Sequence, residues 1–212
     1  MPKIVDVDEK RNLIAQSACR VVVAKGVANT RMADIAAEAN VTTGMIVNYF
    51  NTKDEIIAAA LRLAFRNIEA KIAERTQDQK TTNLFAMLEP VIGSSDDDRA
   101  DVAVWINFWG MLSADPELRE LNQTLHKEGL QTYKRAMLTA WPESAEWPDE
   151  VFDAALTSVV TCLFGLSAGG IVNPTTWPKT VLRTQLRMQL DLVRDWSNAQ
   201  PNAIPRNAQN SH

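Results

Sequence analysis

The sequence contains few cysteines and histidines, and this scarcity excludes several kinds of site. The two cysteines, Cys19 and Cys162, are far apart and form no Cys-x-x-Cys pair, so we predict reduced, buried thiols. The two histidines, His126 and His212, have no metal-binding spacing, and no phosphate-binding glycine loop is present. The sequence therefore predicts no metal, no cofactor and no catalytic site.

Long hydrophobic runs are also missing. No run of about 18 or more apolar residues occurs, which predicts that no segment spans a membrane. The first residues, MPKIVDVDEKR, lack an apolar stretch followed by a small-residue cleavage site, so we expect no secretory signal and a cytoplasmic location. With 46% hydrophobic and 23% charged residues, the composition is that of a globular protein with a substantial core.

Positive charge is scarce overall but unevenly distributed. The chain carries a net charge of −4, yet residues 1–75 have eleven Lys and Arg against nine Asp and Glu, a net charge of +2. The remainder has eleven against seventeen, a net charge of −6. The amino-terminal third is therefore the part of the chain that could approach phosphate groups.

Apolar residues recur at helical spacing almost throughout, so the predicted fold is all-α. A first helix should end at Gly26, a short second helix follows Thr30, and a third occupies about 43–49. Thr52 and Glu55 predict a capping box that opens a long fourth helix.

Polar breaks separate longer helices beyond Thr76, and the break that contains Asp96-Asp97-Asp98 is predicted to be a solvated loop. We expect three parts: a compact three-helix head at 1–52, a larger helical body at 53–197, and a disordered polar tail at 198–212.

Residues 30–50 have the features of a helix-turn-helix. Asn40 stands where a tight turn needs a residue that tolerates positive φ, and Thr42 can cap the next helix. Val41 and Ile46 are spaced as a hydrophobic staple, which fixes the angle at which the chain enters that helix. The alternative is an ordinary helical hairpin inside a larger α-helical protein.

The third helix would present an outward face suited to DNA. Gly44 and Asn48 point outward with Met45 and Val47 beside them, so Asn48 could hydrogen-bond adenine while the apolar pair contacts thymine methyl groups. A glycine there destabilises a helix but allows a close approach of the backbone to another surface. Contacts to the sugar-phosphate chain are predicted for Thr43, Tyr49, Lys53 and the N–H groups of the helix start at Thr30, and Thr42 is counted with the DNA-binding residues.

The stretch resembles the TetR family of bacterial repressors over about residues 8–65. The matching residues are Gly26, Thr30, Asp34-Ile35-Ala36, Ala39-Asn40-Val41, Thr42-Thr43-Gly44, Tyr49-Phe50 and Lys53-Asp54-Glu55. The resemblance implies a dimer whose third helices enter successive major grooves of a pseudo-palindromic operator, with Tyr49 and Lys53 on backbone phosphates. The family usually has glycine in place of Asn40 and an aromatic residue in place of Val47.

The rest of the chain is similar to the carboxy-terminal domain of the choline-responsive, BetI-type branch over about residues 100–195. The similar segments are Trp105-Ile106-Asn107-Phe108-Trp109, Asp115-Pro116-Glu117-Leu118, Leu163-Phe164-Gly165-Leu166 and Asn173-Pro174. The branch usually has Asp where Phe164 stands. This resemblance implies that helices near 150–169 and 178–196 form a four-helix dimer interface.

Aromatic residues in the body suggest an effector site. Trp105 and Trp109 fall on one helical face beside Phe108, and aromatic faces attract quaternary ammonium groups. Tyr133, Met137 and Cys162 are further candidates, although aromatic residues at this spacing also fill ordinary cores. The resulting hypothesis is a repressor released by a cationic or hydrophobic small molecule. The alternatives are a helical enzyme acting on a small amine, or a regulator without a small effector.

Overall fold

The computed structural model describes residues 4–77, 82–112 and 115–200, and within these ranges the chain is all-α, as the sequence predicts. Most of the predicted tail, residues 201–212, lies outside the described residues. The helices are α1 (Ile4–Lys25), α2 (Met32–Glu38), α3 (Thr43–Val47), α4 (Lys53–Gln77), α5 (Leu84–Leu88), α6 (Asp96–Trp109), α7 (Pro116–Ala140), α8 (Asp149–Val172) and α9 (Lys179–Asn198). Short 3₁₀ turns occupy Glu89–Ile92 and Pro142–Glu146.

The described chain forms two compact units. Among the described residues, the first contains 4–68, 99–112 and 115–126, and the second contains 69–77, 82–98 and 127–200. The domain boundaries that the sequence predicts, at residues 52 and 197, separate parts of different function and not compact units. These boundaries stay a prediction.

Local residue chemistry sets the ends of the first helices. Gly26, directly after α1, has φ of +76°, and Asn40, after α2, has φ of 53°, both in the left-handed region. Helix α2 begins one residue later than expected, because Arg31 rather than Thr30 is its N-cap. Thr52 caps α4 by accepting the N–H of Glu55 at 3.1 Å. The Glu55 carboxylate returns to the N–H of Asn51 at 2.9 Å, so the predicted reciprocal bond is displaced by one residue.

Two apolar clusters hold the first unit together. One joins α1, α2, α3 and the start of α4 around the fully buried side chains of Ile35, Ile46 and Phe50. The other packs Val22 and Val27, from α1 and the turn after it, against α4, α6 and α7. The end of α1 and the turn after it are therefore covered in part by residues of α6 and α7 that come about 75 to 100 positions later in the chain.

Cys19 lies between these clusters, and its Sγ donates to the carbonyl oxygen of Ala60 at 3.5 Å. Burial raises the pKa of the thiol from its ordinary 9.0 to about 12, with the nearby Asp101 carboxylate adding to the shift. Burial also raises the pKa of Cys162. The sequence predicts buried thiols, and the structure has both of them half-buried, with pKa values that keep them protonated at neutral pH.

A thiol reagent tests this arrangement. A pKa raised from 9.0 to about 12 lowers the thiolate fraction of Cys19 about a thousandfold, so Ellman's reagent should label native Cys19 far more slowly than a free cysteine at neutral pH. Both cysteines should react at once in denaturant. Rapid labelling of Cys19 in the native protein, located by peptide mass, would contradict its burial.

The second unit is built on the packing of α8 against α9. Gly170 permits their close approach, because a Cβ atom at this position would lie 2.7 Å from Cδ1 of Leu182. The buried Ser167 hydroxyl lies 2.7 Å from the carbonyl oxygens of both Leu163 and Val91, and so ties α8 to the 3₁₀ turn after α5. The end of α9 is held by Trp147, whose indole N–H donates to Asn198 at 2.9 Å.

The acidic run Asp96-Asp97-Asp98 is the first turn of α6, so the predicted solvated loop is wrong. Ser95 accepts the N–H of Asp98 at 3.0 Å, and the Asp98 carboxylate pairs with Lys71 at 2.8 Å. Burial would raise the pKa of Asp98, but the bonds from Lys71 and Ser95 outweigh it and hold the pKa below its usual range. Acidic residues are favourable in the first turn of a helix, which explains why the run opens one.

Helix α8 is the one described helix that is both long and apolar enough to cross a membrane by composition. The sequence contains no unbroken apolar run of that length, because threonine and serine side chains interrupt the helix.

Candidate nucleic-acid interface

Helix α3 has one buried and one exposed side. Ile46 is fully buried among α1, α2 and α4, whereas Met45 and Val47 are 39% and 53% exposed. Exposed large apolar side chains on both sides of a buried anchor form a ridge that projects away from the core. This is the outward face that the helical spacing predicts.

Gly44 lies in this face, and the fold itself does not require a glycine there. A Cβ atom at residue 44 would meet only the Thr42 hydroxyl oxygen, at 3.9 Å, and Gly44 is not among the residues with positive φ. The position could therefore hold a larger side chain without a clash inside the protein. What a glycine provides here is open space in front of the helix.

The ends of α3 are fixed by short polar residues. The Thr42 side chain accepts the N–H of Met45 at 3.1 Å, which confirms it as the N-cap. Asn48 is the C-cap, has helical φ and ψ, and leaves its amide exposed beside Val47. Thr43 is likewise exposed. The predicted DNA-contacting residues of α3 thus lie together on one short, capped helix.

The turn from α3 to α4 carries Tyr49 and Lys53, both half-buried. The guanidinium of Arg11, from α1, donates to the main-chain oxygen of Tyr49 and lies 4.1 Å from the centre of the Phe50 ring. Arg11 therefore fixes the turn that presents these two residues, and this contact was not predicted from the sequence. No local pattern could have shown it, because 38 residues separate Arg11 from Tyr49.

Thr30 is placed differently from the sequence expectation. Its side chain is 1% exposed, its hydroxyl donates to the carbonyl oxygen of Gly26 at 2.8 Å, and its N–H bonds the carbonyl of Val27. A contact of Thr30 with phosphate is therefore not supported. The exposed residue at the start of α2 is Arg31, a cation that could have been noticed as the only charged residue between Gly26 and Met32.

Ion pairs join α1 to α2 behind this surface. Lys25 pairs with Asp34 at 2.8 Å, and Arg20 pairs with Glu38. The hydrogen bond from Lys25 is the main reason why the pKa of Asp34 is lowered. Asp34 also accepts the N–H of Arg31 at 3.1 Å, so one carboxylate caps α2 and attaches it to α1. Arg20 and Lys25 therefore form ion pairs within the protein.

Three of the predicted effector residues lie on α6 in the first unit. Trp105 and Trp109 are half-buried and form an edge-to-face pair with ring centres 4.8 Å apart. Phe108 is 1% exposed and packs with Val22 and Leu61 in the core. Its position is that of a core residue, the alternative that the sequence left open.

The other three predicted effector residues lie in the second unit. Tyr133 and Met137 on α7 are buried, and Cys162 on α8 is half-buried. Burial, together with the neighbouring Glu69 carboxylate, raises the pKa of the Tyr133 phenol above its ordinary value. Glu69 accepts the Thr132 hydroxyl at 2.9 Å.

A short, capped helix held against a second helix by a tight turn defines a helix-turn-helix DNA-binding module. Residues 14–60 match the family described as "Bacterial regulatory proteins, tetR family", and residues 80–194 match "BetI-type transcriptional repressor, C-terminal". The chain belongs to the TetR family of bacterial regulatory proteins, which are DNA-binding transcriptional regulators.

Individual relatives agree with this assignment. The transcriptional regulator BetI of Burkholderia mallei is 26% identical over 126 residues, which cover 58% of this chain and 65% of that protein. The match thus spans less than two thirds of the length of the curated relatives.

Solved structures show the same fold. A transcriptional regulator from Rhodococcus sp. Rha1 matches with a TM-score of 0.75 at 18% identity, over 90% of this chain and 99% of that one. A putative regulator from Saccharomonospora viridis, solved in complex with choline, matches with a TM-score of 0.69 at 21% identity, over 87% and 96% of the two chains.

Proposed function

We propose that this protein is a transcriptional repressor that binds a pseudo-palindromic operator as a homodimer and is released by a small molecule. The observation that carries the DNA-binding part is the outward face of α3: two exposed apolar side chains, Met45 and Val47, flank an open position at Gly44. An exposed apolar ridge is suited to entering a major groove, and a glycine that the fold does not require leaves room for the close approach of DNA.

In this proposal the residues have distinct roles. Asn48 hydrogen-bonds a base edge, and Met45 and Val47 contact thymine methyl groups. Thr43, Tyr49 and Lys53 contact the sugar-phosphate chain, while Thr42 positions α3 as its cap. Arg31, exposed at the start of α2, takes the phosphate contact first assigned to Thr30.

The dimer is supported by α9, which is apolar on two sides. Its residues Leu182, Leu186 and Leu190 are buried against the second unit. Its other side leaves Met188, Leu192 and Trp196 exposed by 47%, 57% and 49%, at successive helical turns. Large exposed apolar patches on soluble proteins mark interfaces, and we assign this one, together with α8, to a second copy of the chain.

The effector part of the proposal rests on the aromatic pair of α6. Trp105 and Trp109 meet edge to face and are half-buried, and aromatic rings attract cationic ligands. The choline complex of the similar S. viridis protein supports a quaternary ammonium as the first candidate. Tyr133, Met137 and Cys162 are secondary candidates.

We infer that release works by a change in the separation of the two DNA-binding heads. Half-sites lie about 34 Å apart or a multiple of it, so a small displacement of α4, which begins directly after the turn of Tyr49, weakens both contacts together. The ligand must bind the DNA-free conformation more tightly to have this effect. The proposal assigns no reaction to the chain and places it in the cytoplasm, where its DNA is.

The proposal is tested by fluorescence anisotropy with fragments of the DNA that flanks the gene. We expect one fragment to bind with a stoichiometry of two chains per site, and choline or a related ammonium to reduce that binding. Failure of the pure dimer to bind any flanking fragment at low salt would contradict operator binding. Binding that no small amine or hydrophobic compound reduces would contradict only the effector part.

Replacing Tyr49 and Lys53 by alanine should weaken binding to all DNA sequences to a similar extent. Lys53→Ala should also lower the slope of log affinity against log salt by about 1, because one phosphate contact is lost. Lys127→Ala, in an exposed part of α7, is the matched control and should change neither quantity. An unchanged salt slope in Lys53→Ala would show that this lysine does not bind phosphate.

A further inference from the structure

A groove between α1 and α4 in the first unit has no role in the proposed function. Its volume is about 580 Å³, and its lining includes Arg11 from α1, Phe50 from the turn before α4, and Arg62 and Arg66 from α4. Three alanines in the lining leave the space between the two helices open. Small-molecule sites commonly have volumes of about 300–1,000 Å³, so the groove is large enough for a metabolite.

The charges around the groove are unequal. Three guanidinium groups face two carboxylates, those of Asp8 and Glu55. Glu55 is engaged elsewhere, because its carboxylate accepts both the main-chain and the side-chain N–H of Asn51, and these bonds lower its pKa. Arg11 is likewise fixed by the Tyr49 carbonyl and the Phe50 ring. The cations left for a ligand are Arg62 and Arg66, and the Asp8 carboxylate also remains in the lining.

These two arginines are placed to act together. They are four residues apart on α4, so they project from the same face with Cβ atoms about 5–6 Å apart. Both are exposed, and across residues 4–77, 82–112 and 115–200 no carboxylate pairs with either of them. Glu55 is seven residues before Arg62, about 10 Å along the helix, which is too far for a direct ion pair.

Paired guanidinium groups match the geometry of phosphate oxygens. Each offers a planar fork of N–H donors that matches two oxygens of a phosphate, and two forks can hold one phosphate group. We propose that this groove binds a small phosphate-bearing metabolite, with the phosphate on Arg62 and Arg66 and the remainder of the molecule lying along the alanines toward Phe50.

The backbone of operator DNA is a less suitable source of the phosphate. Arg62 and Arg66 follow Lys53 by nine and thirteen residues on the same helix. At 1.5 Å per residue they lie about 13 and 20 Å along α4 from the lysine that is proposed to contact DNA. The site therefore belongs to a ligand that binds beside the DNA-binding surface.

Isothermal titration of the full-length, DNA-free protein at low salt tests the proposal, with adenosine monophosphate and pyrophosphate as probes. We expect at least one of these two phosphate compounds to bind saturably, with one molecule per chain, and adenosine not to bind. Arg62→Gln with Arg66→Gln should weaken that binding about tenfold to a hundredfold, because charge-assisted hydrogen bonds are lost. The lysine pair, Arg62→Lys with Arg66→Lys, should restore only part of it, since lysine keeps the charge but not the fork.

The control removes the same two charges elsewhere. Lys127 and Arg135 are exposed residues of α7. The double variant Lys127→Gln with Arg135→Gln should bind the probes as the unaltered protein does. The proposal is overturned if neither phosphate compound binds saturably, or if the Arg62 and Arg66 variant binds them equally well. A third outcome also overturns the proposal: the unaltered protein binds no probe, and the Arg62 and Arg66 variant has a lower operator affinity and a lower salt slope of operator binding. The two arginines would then contact the phosphates of the DNA backbone.

Discussion

Gly44→Leu is expected to abolish operator binding while leaving the protein folded. The leucine side chain would enter open space, because only the Thr42 hydroxyl lies within 4 Å of the added Cβ. It would, however, stand between α3 and the base edges and prevent Met45, Val47 and Asn48 from reaching them. Each base contact contributes about 1–3 kcal/mol, so operator affinity should fall about a hundredfold or more.

Thermal unfolding separates this effect from a loss of structure. Glycine destabilises a helix by about 0.5–1 kcal/mol relative to alanine, so Gly44→Leu should unfold at an unchanged or slightly higher temperature. Gly110→Leu is the matched control, because a Cβ added at Gly110 would have nothing within 4 Å and Gly110 lies in the same unit as Gly44. Operator affinity that survives Gly44→Leu would refute the assignment of α3 as the DNA-contacting helix.

The second large effect is expected from the exposed side of α9. Leu192→Glu combined with Trp196→Glu places two carboxylates where a homodimer would bury apolar surface. Unpaired charges in an interface centre are strongly unfavourable, so sedimentation should give a monomer at micromolar concentration. Operator affinity should fall about a hundredfold or more, because the two half-sites would no longer be bound by one linked pair of heads.

The control for this variant is Val23→Glu, which places a carboxylate at another exposed apolar residue, on α1. It should remain a dimer. The far-ultraviolet circular dichroism of the α9 variant should keep its helical form, since Leu192 and Trp196 are outside the buried core. A dimer that persists in the α9 variant would contradict the assignment of this face as the interface.

The residues that sequence reasoning placed well are those whose role is local. Gly26 and Asn40 take positive φ, and Thr42 caps α3, because a sharp turn or an exposed N–H can be satisfied by the residue itself. The all-α class follows from the same kind of information, since apolar spacing is measured over a few turns. The exposure of Met45 and Val47 could also be predicted from α3 alone.

Long-range contacts account for what sequence reasoning did not find. The pairing of Asp98 with Lys71, 27 residues away, could not be predicted locally, although Ser95 and Asp98 have the spacing of the capping box that they form. Phe108 has the helical spacing of a ligand-contacting residue, but it packs on Val22 of the first helix. The groove and the contact of Arg11 with Tyr49 likewise depend on α1 lying against α4.

The second apolar cluster of the first unit limits how this protein can be divided. Val22 and Val27 are covered by Phe108, Leu118 and neighbouring residues of α6 and α7. A fragment ending at residue 52 would expose that apolar surface to water. A chimera that transfers this operator specificity to another regulator must therefore carry residues 99–126 along with the head. Otherwise, the host protein must have helices that match the shape of that apolar surface.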